Sequence, residues 1–257
     1  ANARNFDLSF SDNRTLHVIA SDGGYLRAPV AMTALTIAPG ERFEVLVDFS
    51  DGKSVQLTTA ADSRAAMGMG PGMMRGMMGM APGGGAGFLM RFDVDPSLSA
   101  RVKTPPAVLL DDPLPAAGGA VLRRQISLTM GPGMMGGMGM GRGGMGMASP
   151  CGINGRVFDM DRIDFKPKLG STEIWEVYPS MMAHPFHVHG VIFHVLSMGG
   201  RLVAPHLAGG KDTILLDGPA ELLMQFTQPA TPRTPFMFHC HILEHEDAGM
   251  MGQYATT

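Results

Sequence analysis

The chain has 257 residues, of which 45% are hydrophobic and 17% are charged, and its formal net charge is −3. This balance provides no basic surface for nucleic acid, and no apolar run approaches the roughly eighteen residues of a membrane-spanning helix. We therefore expect one large or two modest globular domains, with no nucleic-acid partner and no membrane insertion.

Short β-rich runs fill both ends of the sequence. Residues 5–60 alternate runs such as LHVIA and FEVLVDF with turn signals such as DGG, and GFLMRFDV predicts a further strand. Residues 104–120 are rich in Pro and Gly and predict an interdomain linker. A second β-rich block at 121–257 includes STEIWEVYP and TPFMFHCHI. Short strands without a long helical period predict an all-β fold of β-sandwiches.

Six of the nine histidines lie in two short runs, HPFHVHG at 184–190 and FHCHILEHEDAGMM at 238–251. In a strand, alternate side chains share a face. His239 and His241 therefore point one way and Cys240, between them, points the other. One tripeptide can thus serve two sites on opposite sides of a strand.

The run HPFHVHG follows the same alternation. His187 and His189 share a face, whereas His184 lies at an odd offset and can face the opposite way. Pairing the two runs in space predicts two half-sites. The first comprises His184, Cys240 and His245, and the second comprises His187, His189, His239 and His241.

The first half-site has the donor types of a blue-copper centre. Two imidazoles, one thiolate and a weak axial thioether make the trigonal site used for electron transfer, and Met250 follows at the spacing Cys240-x4-His245-x4-Met250. Zinc also accepts Cys and His, but it has no use for the methionine or for four more inward histidines. Scattered core or surface histidines would rarely produce two H-x-H units with a cysteine centred in one.

In their order and register, HPFHVHG and HCHILEHEDAGM resemble the two C-terminal copper motifs of the multicopper oxidases. SDNRTLHVIASDGG, GERFEVLV, INGRVFDM and GGKDTILL are similar to the bacterial periplasmic cuprous oxidase branch, the copper-efflux oxidases. The resemblance implies cupredoxin-like Greek-key β-sandwiches and a periplasmic location. The implied organisation is the C-terminal part of a middle domain at 1–103 with an insert at 67–87, the linker at 104–120, and a complete C-terminal domain at 121–257 with an insert at 130–147.

The resemblance also implies a role for each ligand, with four coppers in a complete enzyme. Type 1 copper would be bound by His184, Cys240, His245 and Met250, type 2 copper by His187, and the binuclear type 3 site by His189, His239 and His241. Glu246 resembles the proton-relay carboxylate of the family, and the alternative is a solvated loop glutamate. Because Cys240 is bonded through the backbone to His239 and His241, it offers electrons a short covalent path.

A trinuclear cluster of this family takes eight histidines from four H-x-H units, and this sequence holds two such units. His17, His194 and His206 lie in no H-x-H, and we predict that they are structural or surface residues. We therefore expect an N-terminal cupredoxin domain, outside this sequence, to supply the other two units.

Methionine is the compositional anomaly, with 24 residues beside 35 glycines. Seven methionines fall in 67–80 and seven in 130–147. Thioether sulfur suits Cu(I), and methionine-rich inserts are a mark of the cuprous oxidase branch. The alternative is a low-complexity linker. The candidates for binding substrate Cu(I) are Met130, Met135 and Met182. The sequence departs from the branch where aspartates are usual, because Ser180 and Met135 stand there.

The implied activity is that of a copper-dependent oxidoreductase that is complete only with the N-terminal domain. It would oxidise Cu(I) to Cu(II) at the type 1 copper and reduce dioxygen to water with four electrons, for copper tolerance. The alternatives are a laccase-type oxidase of phenols and, for an isolated fragment, a one-copper binding or electron-transfer module. Some relatives have lost the copper ligands and act structurally, but the C-terminal ligands are intact here. Cys151 is predicted to be a buried small residue, with an auxiliary Cu(I) thiol as the alternative.

Overall fold

The computed structural model describes residues 4–61, 85–95, 97–98, 105–110, 121–130 and 151–257. The segment at 67–80 lies outside the described residues. Of the segment at 130–147, only Met130 is described, so Met135 lies outside the described residues as well. Only 105–110 of the predicted linker are described, and they are irregular. The regular secondary structure of the described residues is almost entirely β, which confirms the all-β prediction.

The first sandwich has two sheets, with strand orders β4-β1-β6-β7 and β3-β2-β5. Its strands are β1 (Phe6–Phe10), β2 (Leu16–Ser21), β3 (Gly24–Met32), β4 (Ala34–Ile37), β5 (Phe43–Val47), β6 (Val55–Ala60) and β7 (Gly87–Phe92). Apolar residues of both sheets pack against one another between them. This core comprises Phe10, Leu16, Val18, Leu26, Leu35 and Val55. Strand β7 is the one predicted from GFLMRFDV, and it pairs with β6.

The second sandwich has its own, larger core. Its strands are β8 (Leu122–Thr129), β9 (Gly152–Ile153), β10 (Thr172–Tyr178), β11 (His184–Val188), β12 (Phe193–Met198), β13 (Arg201–Leu202), β14 (Thr213–Leu216), β15 (Ala220–Gln225), β16 (Phe236–Cys240) and β17 (Met251–Tyr254). They form one sheet of order β13-β12-β15-β10-β8-β9 and another of order β14-β11-β16-β17. Among its described residues, the helical elements are a short helix, α1 (Leu243–Asp247), and a 3₁₀ turn, Pro205–Leu207.

Trp175 lies at the centre of the second core and is fully buried. Its ring makes an edge contact with Phe238 of β16 at a centroid distance of 5.2 Å, and its Nε1–H donates to Glu173 Oε2 at 2.9 Å. Aromatic pairs of this geometry add to the stability that area burial provides. Because side chains alternate along a strand, Phe238 and Cys240 face this core and His239 faces away from it.

Hydrogen bonds from the end of β2 and the turn after it join the first sandwich to the second. Gly23 N–H donates to Gly210 O at 2.8 Å, and Ser21 Oγ donates to the same carbonyl at 2.9 Å. The loop that precedes β14 is therefore fixed against the first sandwich. Among the described residues, no helix has the length and apolar character needed to cross a membrane.

Candidate metal centre

The structure brings His184, Cys240 and His245 together, and we call them the cysteine set. Nδ1 of His184 lies 3.6 Å from Cys240 Sγ, and Nδ1 of His245 lies 3.5 Å from the same sulfur. All three residues are buried. Two strands and one helix supply them, since His184 begins β11, Cys240 ends β16 and His245 lies in α1.

A tight turn orients the ring of His184. Ser180 O accepts a hydrogen bond from Met182 N–H at 2.7 Å across Met181, whose φ is +65°. The same carbonyl lies 3.0 Å from His184 Nε2. With Nε2–H as the donor, Nδ1 carries the lone pair and faces the cysteine sulfur. This arrangement leaves Nδ1 free to bind a metal.

The segment from Cys240 to Met250 contains one short helix between two strands. His245 lies in helix α1, and its backbone N–H donates to Ile242 O at 3.0 Å. Its carbonyl accepts from Met250 N–H at 2.9 Å, and Met250 O accepts from Cys240 N–H at 3.2 Å. One helical turn thus returns the chain to β16 and places buried Met250 in the same core as Cys240.

The four remaining histidines of the two runs cluster on the opposite face of the sheet, and we call them the histidine set. His187 lies opposite His239 in the β11–β16 pair, and Nε2 of His189 is 3.2 Å from Nε2 of His239. His241 completes the group, with its ring 5.6 Å from that of His187 and 5.5 Å from that of His239.

Hydrogen bonds fix the rings of His187 and His239. Nδ1 of His187 lies 2.8 Å from Asp212 O and 2.9 Å from Thr213 Oγ1. Nδ1 of His239 lies 2.9 Å from Cys240 O. If each Nδ1–H donates to these oxygens, each Nε2 is left as a lone pair. Backbone and side-chain acceptors of this kind are the usual means of orienting metal-binding histidines.

Burial sets the protonation states. Desolvation lowers the pKa of His184 to about 4, and desolvation together with the neighbouring histidines lowers the pKa of His189 to about 4. Both rings are therefore neutral near pH 7, which is the form that binds metals. Burial raises the pKa of the Cys240 thiol to about 12. A metal at this site must displace the thiol proton.

Both sets fit a metal ion. Metal–ligand bonds of about 2.0–2.3 Å would separate two ligand atoms by roughly 3.5 Å at a trigonal angle, which agrees with the 3.5 and 3.6 Å of the cysteine set. Imidazole, thiolate and thioether are the donors that copper sites use. In the histidine set, buried His241 Nδ1 has no hydrogen-bond partner among the described residues, and a bound metal or a further ligand would offset the cost of that burial.

The histidine set opens onto a cavity of about 710 Å³. Its lining includes His187 and His189 together with Asp212 and Phe236. The cysteine set is fully enclosed, whereas the ring of His187 keeps 18% of its side-chain surface. A small molecule or a further polypeptide can therefore reach the histidine set directly.

The remaining predicted residues lie near these sets. Glu246 Oε2 is 3.4 Å from His239 Nδ1, and the Glu246 side chain is 25% exposed. Met130 and Met182 are partly buried against the second core. Cys151 is a buried thiol, and its backbone N–H donates to Ala248 O at 3.1 Å.

Three histidines were predicted to lie outside the metal sites, and the structure places none of them in either set. His17 lies in β2 and His194 in β12. His206 lies in the 3₁₀ turn, with its ring 6.3 Å from that of Phe43.

The sequence reasoning missed the residues that orient the ligands. Ser180 O orients His184, whereas Asp212 and Thr213 orient His187. The local signal for the last two was the run GGKDTILL, which contributed only to the family resemblance. Its link to His187 depends on the register of β11 with β14, in which His187 faces Thr213.

Comparisons with known proteins agree with this architecture. Two sequence profiles described as multicopper oxidase match residues 129–257 and 1–66. The cell division protein FtsP of Dickeya dadantii is 35% identical over 254 residues, which cover 98% of this chain and 48% of the relative. Its Escherichia coli K12 counterpart is 32% identical over 98% of this chain and 48% of the relative. The chain thus spans about half the length of the curated relatives it matches.

Solved structures agree as well. A laccase-like multicopper oxidase, CueO, from an Ochrobactrum species, described as having oxidase activity towards lignin model compounds and lignosulfonate, is 41% identical. The match covers 100% of this chain and 54% of the Ochrobactrum chain, with a TM-score of 0.82. A multicopper oxidase from Campylobacter jejuni, described as a metallo-oxidase, is 27% identical over 99% of this chain and 51% of its own, with a TM-score of 0.79.

The structure has two β-sandwiches, with the cysteine set and the histidine set on opposite faces of the sheet that holds β11 and β16, and this defines a cupredoxin-like protein, as predicted. The profile matches identify the family within this class, and the chain belongs to the multicopper oxidases.

Proposed function

We propose that the chain is part of a copper-dependent oxidase that takes electrons at the cysteine set and reduces dioxygen to water at the histidine set. The observation that carries this proposal is the position of Cys240. It belongs to one set, and the residues on either side of it in sequence, His239 and His241, belong to the other. When bound, copper would supply the one-electron chemistry that carries electrons from the substrate to dioxygen.

The proposed ligand roles follow the two sets. We assign the first site to His184, Cys240, His245 and Met250, the type 2 position to His187, and the type 3 pair to His189, His239 and His241. The burial of the cysteine set excludes water from the electron-accepting site. We assign the approach of dioxygen to the side of the histidine set that faces the cavity.

We assign proton delivery to Glu246. Reduction of dioxygen to water consumes protons at a site that the protein partly encloses. The Oε2 atom of Glu246 lies 3.4 Å from His239 Nδ1, while the side chain keeps 25% of its surface. A carboxylate in contact with both solvent and a ligand ring can take up a proton from water and release it toward the cluster.

The substrate that we favour is Cu(I), as in the cuprous oxidase branch, with copper tolerance as the outcome. Met182 precedes the ligand His184 by two residues, and Met182 and Met130 are partly buried against the core of the cysteine set. Thioethers prefer Cu(I). The Campylobacter neighbour is described as a metallo-oxidase, which is consistent with a metal-ion substrate. Met135 remains a candidate outside the described residues.

The second candidate substrate is a phenol, and the Ochrobactrum neighbour, described as acting on lignin model compounds, favours it. Deletion of 130–147 separates the two candidates. Loss of cuprous oxidase activity with a gain of phenol oxidation supports Cu(I) and a methionine-rich cover over the site. A parallel fall in both activities would make the segment structural.

The histidine set supplies four of the eight histidines that a trinuclear cluster of this family uses. We propose that an N-terminal cupredoxin domain, outside this chain, supplies two further H-x-H units across the open cavity, and that the assembled protein is periplasmic. On this view residues 1–103 are part of a middle domain, 104–120 a linker and 121–257 the C-terminal domain.

A competing candidate is a structural role in cell division, which the name of the curated relatives suggests. Such a role does not need copper. A Cys240→Ser protein, which cannot form the type 1 site and so has no oxidase activity, separates the two in a strain of the source organism that lacks the gene. Restored division with no copper tolerance favours the structural role, and the reverse pattern favours the oxidase.

The deciding experiment is copper content with oxygen consumption. The 257-residue chain alone should bind about one copper with an intense blue band, and it should consume no oxygen with Cu(I) as donor. The complete protein should bind about four coppers and should consume one dioxygen for every four Cu(I). A complete protein that binds copper but does not consume oxygen would contradict the proposal.

A further inference from the structure

The loop between β4 and β5 of the first sandwich contacts the histidine set of the second. Gly40 in this loop has φ +85°, and a Cβ added there would lie 2.6 Å from Cδ2 of His241. This is closer than real Cβ atoms approach. The backbone of Gly40 therefore packs closely against the His241 ring, and a side chain at this position would displace that ring.

Arg42, two residues further on, joins this loop to the second sandwich. Its Nη1 donates to Gly40 O at 2.9 Å and to Asp212 Oδ1 at 2.6 Å, and its Nη2 donates to Asp212 Oδ2 at 2.7 Å. The guanidinium and the carboxylate thus form a two-pronged ion pair. Such forks fix orientation as well as distance, which a lysine cannot reproduce.

On the other side, Asp212 and Thr213 orient His187. Asp212 O lies 2.8 Å from His187 Nδ1, and Thr213 Oγ1 lies 2.9 Å from the same nitrogen. The Thr213 hydroxyl donates to Asp212 Oδ1 at 2.8 Å, the same oxygen that Arg42 binds. A continuous set of hydrogen bonds therefore runs from the guanidinium of Arg42 to the ring of His187.

Buried charges hold this junction together. Lys211 Nζ lies 3.1 Å from Asp22 Oδ2 and 3.4 Å from Glu41 Oε1, and all three side chains are almost fully enclosed. Asp22 Oδ1 also accepts from Arg42 N–H at 2.6 Å. Removing one partner from such a group is costly because it leaves a buried charge uncompensated. The buried ion pairs therefore hold the backbone of Arg42 in a fixed position relative to the second sandwich.

We propose that Arg42 is a positioning residue that orients His187, through Asp212 and Thr213, and His241, through Gly40. The first sandwich contributes no member of either set among the described residues, yet through this one side chain it sets two rings of the second sandwich. The role rests on the proposed function, since it matters only if these two rings bind copper.

The test compares Arg42→Gln with Arg42→Lys. Arg123→Gln is the matched control, because Arg123 also forms an ion pair and is exposed to a similar extent, 46% against 54% for Arg42. The first readout is imidazole NMR of the metal-free 257-residue chain. Arg42→Gln should shift the resonances of His187 and His241 and speed the solvent exchange of the His187 Nδ1 proton. Arg42→Lys should restore little of this, and Arg123→Gln should change neither ring.

The second readout is EPR of the copper-loaded complete protein. Arg42→Gln should change the hyperfine splitting of the non-blue Cu(II) signal and lower the affinity for that copper by about 10- to 100-fold. The blue band should be unchanged. Asp212→Asn should produce the same change and add little to Arg42→Gln in the double variant. If Arg42→Gln does not fold, Asp212→Asn alone decides the matter.

The outcomes separate the two proposals. Unchanged ring resonances and an unchanged non-blue signal in Arg42→Gln or Asp212→Asn would overturn the positioning role and leave the oxidase proposal intact. Shifted ring resonances in Arg42→Gln, together with a complete wild-type protein that binds no non-blue copper, would overturn the oxidase proposal, and the positioning of copper ligands with it.

Discussion

His187 lies directly opposite His239 on the neighbouring strands β11 and β16, and their ring centroids are 5.4 Å apart. The next residue along β16, Cys240, turns to the other face of the sheet and meets His184, whose Nδ1 is 3.6 Å from its sulfur. One pair of antiparallel strands therefore builds parts of both sets. The distance between the sets is fixed by a single peptide unit rather than by the packing of separate elements.

The two buried cysteines provide a matched pair for mutagenesis. Cys240→Ser should abolish the blue band and all oxidase activity, because serine cannot supply a soft thiolate. Cys151→Ser should keep both, because Cys151 belongs to neither set, although it is equally buried. Visible spectra and oxygen uptake check this prediction. Loss of the blue band in Cys151→Ser, in a protein that still folds, would instead make Cys151 a copper ligand.

Copper uptake by the cysteine set should depend on pH because of the thiol proton. The pKa of Cys240 is raised to about 12, and that of His184 is lowered to about 4. Between these values the thiol is protonated and the ring of His184 is neutral, so binding releases one thiol proton. The affinity of the cysteine set for copper should therefore fall about tenfold for each unit by which the pH is lowered from 8 to 6.

Titration of the metal-free chain with copper in weak buffer, followed by a pH indicator, measures the released proton. Cys240→Ser should release none at this site. An affinity of the blue copper that is constant between pH 8 and 6 would contradict the prediction.

Acid should destabilise the metal-free protein through His184. The folded-state pKa is about 4, below the unfolded value of about 6.5, because burial disfavours the charged ring. Above pH 6.5 the two states bind equal numbers of protons at this residue. As pH falls from 6.5 to 4, the His184 ring takes up a proton in the unfolded state but not in the folded state. The free energy of unfolding therefore falls by about 3 kcal/mol.

Urea unfolding at several pH values checks this effect. The free energy of unfolding of His184→Gln should vary less between pH 6.5 and 4 than that of the wild type. Equal slopes in the two proteins would show that the acid sensitivity arises elsewhere.

Gly40 and Gly52 test the contact with His241. Both have left-handed backbone, with φ of +85° and +70°, but a Cβ at Gly52 meets nothing within 4 Å. Alanine at either position should cost roughly 1 kcal/mol of stability from backbone strain. Gly40→Ala alone should also displace the His241 ring and reduce copper loading of the histidine set. Copper content and the imidazole resonances distinguish the two variants, and identical behaviour would remove Gly40 from the ligand environment.

The sequence alone determined which residues meet at each set. Two-residue alternation along β11 and β16 sends His184 and Cys240 to one face and the H-x-H histidines to the other, and this periodicity is a property of the extended backbone. The same logic could not reveal that the segment before Met250 would form a helical turn. That turn depends on hydrogen bonds that return the chain to β16.

What only the tertiary structure decided is how the ligands are held in orientation. Arg42 reaches Asp212 across 170 residues of sequence, and Gly40 meets His241 across a still longer span. Neither arginine nor glycine carries a local sign of such a role, because an ion pair or a close backbone contact between two sandwiches exists only once both have folded and docked. The sequence thus named the candidate ligands, and the packing of the two sandwiches chose the residues that orient them.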